Sequence, residues 1–485
     1  MEYSPFTNLL GQLSQKSILI KHPNTVFLWI LVLIALGLRL YRLDFQSLWV
    51  DEIASMNGAD PDASWSTVVE YSISDQPPAF FLLLHGWFKV FPFNDISGRL
   101  FSVTLGIAGI FAMYLLGKEV KGGKTGLTAA AITSFSYIHI LFSQDVRFYT
   151  LVFLSSALSY LFFIKAVKEN RPMHFVLYSL CTTLLLYTHY FGLVVFASQG
   201  IIFCLLIIFY PFDRKFILSA IASGISIVLM IIPWIPIFFS DVQTNEFWIQ
   251  AEPIYFLIKY FYVYFKDVLS CVIFASLLIF YFASLLNQFK TQHSIDRVDF
   301  ILIASVSLSF LIPIIYSIVQ TPLLHVRYTL IVLPPLIVMI CLGFNLIKIS
   351  FQRILLIATC CTAFLSLVFI EKYYTKIQKE DWRGMISRVI IKGSPTDSFV
   401  SQKAWYCNYY FKSLHSPYRA VLPEHFDLRD QKPHGIWWLD AFNVIPGSDK
   451  MEINFRENGY VLKGTDSLFR ARATYYQIGE GRRSD

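Results

Sequence analysis

The sequence predicts a mainly α, polytopic transmembrane helical bundle of about eleven spans with a small extracytoplasmic α/β domain at its C-terminus. Three observations predict it. Of 485 residues, 55% are hydrophobic and only 15% charged, with a mean hydropathy of +0.54 and 45 phenylalanines, unlike any soluble globular composition. Windows of roughly 20 apolar residues, the length that crosses a hydrocarbon core, recur through the first three quarters of the chain. Lysine and arginine cluster at alternate ends of those windows, the bias that marks a cytoplasmic side.

The net charge of +7 is modest and sits mostly on that side, which argues against nucleic acid as a partner. Six of the 7 cysteines lie in apolar spans and only Cys407 in the polar tail, so a disulfide framework in the tail is excluded. The N-terminus lacks the short apolar core and small-residue cleavage site of a removable signal peptide, so the first span is expected to stay. No Asn-x-Ser/Thr sequon occurs, which favours a bacterial inner membrane.

Taken in order, the first span covers about Thr25 to Leu40, preceded by Lys16 and Lys21, which puts the N-terminus in the cytoplasm. The loop Leu43 to Pro78 is then extracytoplasmic and holds Asp51, Glu52 and Asp75. An apolar stretch to Phe93 is short for a span and is read as lying along the surface. Spans follow at Ile96 to Gly117, ending on Lys118, Lys121 and Lys124, and at Thr125 to Phe142, which returns outside at Ser143-Gln144-Asp145-Val146-Arg147-Phe148-Tyr149. The next ends on Lys165, Lys168 and Arg171. The apolar region His174 to Tyr210 is too long for one helix, and Thr188-His189-Tyr190 marks an outer turn between two. A seventh span, Phe216 to Phe239, leads to an aromatic outer loop from Ser240 to Asp267. Spans eight and nine flank an inner connection from Lys290 to Arg297, the ninth emerging at His325-Val326-Arg327-Tyr328. Span ten ends at Lys348 and Arg353, and span eleven leaves the tail outside. Two domains result: residues 1–371, including the loop 43–78, and residues 372–485. In the second, Asp381 is expected to cap a helix.

This threading brings the acids of the first loop, Asp145, Arg147, His189, His325 and Arg327 to one outer face. Acids near a bilayer are costly unless they bind something or do chemistry. Three acids and two arginines suit a reaction at a lipid-borne phosphoester. Displacing a sugar from a lipid phosphate needs a carboxylate to take the acceptor's proton and cations to stabilise the departing phosphate. Arginine fits phosphate through paired charge-assisted hydrogen bonds.

Arg39-Leu40, Leu48-Trp49-Val50-Asp51-Glu52, Gln76-Pro77-Pro78, Gly98-Arg99-Leu100, Ser143 to Tyr149, Thr188-His189-Tyr190-Phe191-Gly192 and Val326-Arg327-Tyr328 with Leu333-Pro334-Pro335 resemble, in order and spacing, the GT-C glycosyltransferases. The resemblance is to the bacterial branch related to protein O-mannosyltransferases and the lipid A aminoarabinose transferase, and covers nearly all of the membrane part. It implies an inverting transfer of one sugar from a polyprenyl-phosphate donor to a lipid, glycan or protein acceptor on the outer face. It also implies Asp51 as general base with Glu52 beside it, and Asp75 and Asp145 holding the acceptor. Arg147, Tyr149, Arg327 and His189 would then face the lipid phosphate. Asp51, Asp75 and Asp145 are also the carboxylates that could bind a divalent cation. One departure is Gln76, where relatives often carry Lys or His; the resemblance therefore does not extend to a phosphate contact there, nor to aminoarabinose specificity.

Blander readings stand beside these. Arg147 and Arg327 could anchor span ends at the headgroups, and Asp51 and Glu52 could be a solvated pair. His189 could be a satisfied turn histidine. Arg99, His85 and His139 read as structural, and Asp60-Pro61-Asp62 as a turn. The rival function of another class is a flippase or transporter of lipid-linked sugars, which would place its ionisable groups near the bilayer midplane rather than at one end.

Overall fold

A computed structural model describes residues 23–238, 249–428, 433–441 and 448–479. Lys16 and Lys21, which assign the N-terminus to the cytoplasm, Phe239 at the end of the expected seventh span and residues 240–248 of the expected aromatic loop lie outside the described residues. The chain forms two compact units, one of residues 1–41, 61–87 and 99–372, the other of 42–60, 88–98 and 373–485.

In the first unit the apolar windows become helices. Among the described residues, seven helices are long and apolar enough to cross a membrane, and eight if the bent pair Gly123–Phe135 and Tyr137–Ser143 is one span. The other three expected spans are shorter apolar helices, Asn24–Leu40, Pro172–Leu186 and Tyr328–Phe344. The stretch after Pro78 is the ten-residue helix Ala79–Phe88, too short to span, as its length requires. The third span departs from expectation: it is bent by 64° rather than straight. At the break Ser136 takes extended backbone angles, φ −62° and ψ 120°, and its hydroxyl donates to the Tyr264 carbonyl at 2.8 Å. A side chain engaged elsewhere and an extended residue together interrupt the helical ladder.

The helix Leu333–Phe344 is buried along its whole length, and 78% of the most apolar 18-residue stretch of Tyr149–Glu169 is buried, against 22% and 17% in Arg214–Phe238 and Ile349–Ile370. An all-round apolar helix belongs at the centre of a bundle, and helices buried on one stripe leave the rest for lipid. Close packing at that centre relies on glycine. A Cβ at Gly343 would collide with the Leu277 carbonyl, so the helix Val268–Gln292 approaches at backbone distance. Hydroxyls supply the rest: Ser159 lies 2.8 Å from the Thr182 hydroxyl and accepts from Gln199 Nε2 at 2.9 Å, joining three helices.

The second unit has the expected α/β character. Its sheet runs β2-β1-β3-β5-β4, with β1 (Asp397–Val400), β2 (Ala420–Val421), β3 (Gly435–Ala441), β4 (Tyr460–Leu468) and β5 (Ala471–Ile478). β1 pairs in parallel with β2 and β3, and β5 antiparallel with β3 and β4. Alternation sets the faces: Ile436 and Trp438 of β3 join Val400, Phe455, Tyr460 and Tyr476 in one core, which turns Trp437 to the opposite face. The helix Trp382–Lys392 buries Trp382, Met385, Ile386 and Val389. Asp381 caps it as expected, accepting from the Gly384 amide at 3.1 Å.

Candidate active site

In the first unit the turn between the helices Tyr137–Ser143 and Tyr149–Glu169 carries Asp145 and Arg147. The end of the first helix holds this turn. Arg39 is fully buried, and its guanidinium donates to the Ser143 hydroxyl at 3.2 Å, the Ser134 carbonyl at 3.1 Å and His139 Nδ1 at 2.8 Å. Gln144 donates in turn to the carbonyls of Arg39 at 2.8 Å and Tyr41 at 3.2 Å. A buried guanidinium needs such a set of acceptors. His139 is packed in this buried set, taking the Arg39 guanidinium on its Nδ1.

From that turn the Arg147 guanidinium reaches Asp75 through two hydrogen bonds, 2.9 and 3.4 Å, and lies 4.5 Å over the Phe148 ring. Phe148 packs on the His189 ring at 4.9 Å, and His189 on Tyr328 at 4.8 Å. The backbone amide of Arg327 donates to His325 Nδ1 at 3.4 Å, and Tyr328 rests 5.7 Å from the His325 ring. Asp75, Arg147 and His189, distant in sequence, therefore meet in one cluster, and Tyr328 links it to Arg327. Asp145 and Arg147 are both buried, the amide of Arg147 donating to the Asp145 carbonyl at 2.8 Å. Tyr149 is buried with its ring 4.1 Å from Phe142 and 4.6 Å from Phe148.

The electrostatics follow from burial. His189 accepts the Phe191 amide on Nδ1 at 3.0 Å, which leaves its proton on Nε2. That Nε2 is buried with no hydrogen-bond partner among the described residues. Desolvation first, then the charge of Arg147, pushes His189 down to about 3. Desolvation, then Arg327, pushes His325 down to about 4. Tyr71, which the sequence did not single out, borders the ion pair: burial and then Asp75 raise its hydroxyl, and Arg147 opposes. Gln76 contributes a buried Oε1 with no partner among the described residues.

Asp51 and Glu52 belong to the second unit, in the first turn of the helix Val50–Gly58. Glu52 is fully buried and bound to Lys379 Nζ at 2.7 Å, and it also accepts the Trp49 amide at 3.3 Å. Its carboxylate is thus an anchor for the helix start. Asp51 is half-buried. Its charge is felt at Glu380, which desolvation chiefly raises while Trp382 Nε1 donates to it at 3.0 Å. Gln46 accepts the amides of Gln378 and Lys379, both at 2.9 Å, and the hydroxyls of Tyr406 and Tyr410 donate to the Leu48 carbonyl at 2.9 and 3.1 Å. Lys379, Glu380 and Tyr406 are partners that sequence reading missed. Among the described residues no three of His, Cys, Asp and Glu are grouped to hold a metal ion.

Residues 75–237 match the family model described as dolichyl-phosphate-mannose-protein mannosyltransferase. Among solved structures the chain is similar to ArnT from Cupriavidus metallidurans in the apo state, with 10% identity, TM-score 0.63, and 93% of this chain and 97% of that chain covered. The fold is GT-C-like, similar to that of ArnT. The same GT-C protein bound to undecaprenyl phosphate aligns with TM-score 0.62, 10% identity and the same coverage. Archaeal oligosaccharyltransferase AglB from Archaeoglobus fulgidus, in complex with an inhibitory peptide and a dolichol-phosphate, shares the GT-C architecture at TM-score 0.52 and 9% identity, covering 96% of this chain and 75% of that one. No curated protein sequence matches the chain.

Proposed function

We propose that the protein is a membrane glycosyltransferase of the extracytoplasmic face of a bacterial inner membrane. It moves one sugar from a polyprenyl-phosphate donor to a lipid, glycan or protein acceptor with inversion. The observation that carries this reading is the buried Arg147 guanidinium, oriented by Asp75 and flanked by the aromatic series Phe148, His189 and Tyr328. It lies just before the N-terminus of a 21-residue helix, where amide dipoles favour an anion.

In this mechanism the acceptor oxygen forms a bond to the anomeric carbon as the bond to the phosphate oxygen breaks, and that electron pair leaves with the lipid phosphate. The acceptor's proton passes to Asp51. Glu52 fixes the helix that carries Asp51. Arg147 and Arg327 stabilise charge on the departing phosphate, and the neutral His189 adds its Nε2–H as a donor. Tyr149 braces the turn from which Arg147 projects, and Asp145 holds the acceptor. No step is routed through a metal, because Asp75 is committed to Arg147 and, among the described residues, no three carboxylates are grouped to hold one. Chelation tests this. Activity that survives EDTA leaves charge neutralisation to the arginines, whereas loss restored by Mg²⁺ brings the acids back as ligands.

The deciding experiment uses purified protein in detergent with a polyprenyl-phosphate sugar and membrane-extract acceptors. Sugar should leave the lipid without any gradient, and Asp51→Asn should abolish transfer while the protein still purifies as a folded monodisperse species. Full activity of Asp51→Asn would remove that residue from the chemistry; absence of donor consumption by the wild type would favour a flippase.

A further inference from the structure

The second unit contains a cleft of about 600 Å³, within the range of small-molecule sites, that the transfer mechanism does not use. It opens on the sheet face opposite the Trp438 core, beside the C-terminal end of the helix Trp382–Lys392. Trp437 and Tyr475 are cross-strand neighbours on β3 and β5, with ring centroids 4.7 Å apart and planes inclined by 34°, and both line the cleft.

Asp397 lies between them. Its Oδ2 accepts Trp437 Nε1 at 3.2 Å and the Ser394 amide at 2.9 Å, and its Oδ1 accepts the Tyr475 hydroxyl at 3.4 Å. A carboxylate held on both oxygens keeps a fixed direction and retains acceptor capacity for a further hydroxyl. Across the cleft the edge strand is bulged. Leu462 pairs with Tyr476 and Gly464 with Tyr475, so Lys463 is the extra residue, and it lines the cleft. Bulges redirect side chains in this way beside binding sites. Gly464 keeps the space clear, since a Cβ there would meet nothing within 4 Å. Lys392, the remaining cation of the wall, is paired with Asp466 at 2.5 Å. Lys392 and Lys463 balance Asp397 and Asp466 in formal charge.

We infer that this cleft is a binding site for a neutral pyranose oligosaccharide. The axial C–H face of a pyranose ring is apolar with positively polarised hydrogens and packs on the negative face of an aromatic ring. Its equatorial hydroxyls are donors and acceptors together, which suits a fixed carboxylate, a lysine and the hydroxyls of Ser394 and Thr396 around one charge-balanced wall. The purpose of the site, gripping a glycan-bearing acceptor, rests on the proposed glycosyl transfer; the binding itself does not.

The test is saturation-transfer NMR on the full-length protein in nanodiscs, with mannobiose, maltose and cellobiose as probes. Saturating the protein's aromatic protons should mark the ring protons of at least one disaccharide. Tyr475→Ala should weaken that binding roughly ten-fold, as loss of one aromatic face predicts, while Tyr475→Phe retains most of it. Gly464→Phe, which enters open space and leaves the sheet intact, should block it at an unchanged melting temperature. The inference is overturned if no disaccharide is marked, if Gly464→Phe binds as the wild type does, or if inorganic phosphate displaces the sugar and so identifies an anion site. Sugar transfer without disaccharide binding would sink only the cleft, and disaccharide binding without transfer only the proposed reaction.

Discussion

At the scale of single residues, the proposed transfer gives Arg147 the task of stabilising charge on the departing phosphate. Truncation to Ala removes a preorganised cation at the leaving phosphate and should lower kcat on the order of 100-fold. Arg147→Lys should recover little, because an ammonium lacks the planar fork that meets Asp75 through two bonds. Steady-state kinetics with a fixed donor would measure both, and an undiminished Arg147→Ala enzyme would refute the role. A second prediction concerns pH. Unfolded histidines titrate near 6.5, whereas burial and neighbouring arginines hold His189 near 3 and His325 near 4 in the folded protein. Below pH 6.5 the unfolded chain therefore binds protons that the folded one refuses. The contribution is present above 6.5 and is lost as the pH falls toward those lower values. The melting temperature should drop between about pH 7.5 and about pH 4.5, and drop less in His189→Gln; equal drops would exclude His189. The polar types of Asp75, Arg147 and His189 were legible because polar and charged side chains interrupt long apolar stretches there, and acids beside a bilayer are costly without a partner. Their pairing was not: Arg147 and Asp75, read separately as phosphate and acceptor groups, bind each other across 72 positions. Arg39 was visible only as part of a motif, since its partners lie some hundred residues away.

Helices and strands were easier to read than single contacts, because apolar length and alternation are local signals. All eleven expected spans correspond to apolar helical stretches, three of them shorter than a full crossing. The bend at Ser136 escaped notice because no proline marks it; its cause is a hydroxyl bonded to Tyr264, 128 positions away. Helix contact at the centre of the bundle gives a third prediction. Gly343→Leu should destabilise by roughly 1–3 kcal/mol, because its side chain meets the Leu277 backbone, which cannot rotate aside. Gly200→Leu, where a Cβ has nothing within 4 Å, should be nearly neutral. Thermal unfolding of the two variants in detergent makes the comparison, and equal melting temperatures would contradict it.

For the whole molecule, the tail read from sequence as residues 372–485 is not closed on itself. Its compact unit also takes in residues 42–60 and 88–98. Within that unit Ser47 donates to Asp381 at 3.0 Å, Tyr409 donates to Asp95 at 2.7 Å, and Tyr406 and Tyr410 hold the Leu48 carbonyl. No local pattern in the sequence announces such long-range closure. A fragment of residues 373–485 expressed alone should therefore lack a cooperative thermal transition by circular dichroism, since it loses these buried partners; a sharp melt would show that the tail is self-sufficient. The ion pair between Glu52 and Lys379 spans 327 positions, and this has a consequence for biogenesis. Until the ribosome has passed residue 379 the helix that carries Glu52 has no lysine to grip, so the unit that this ion pair fastens can close only late in synthesis.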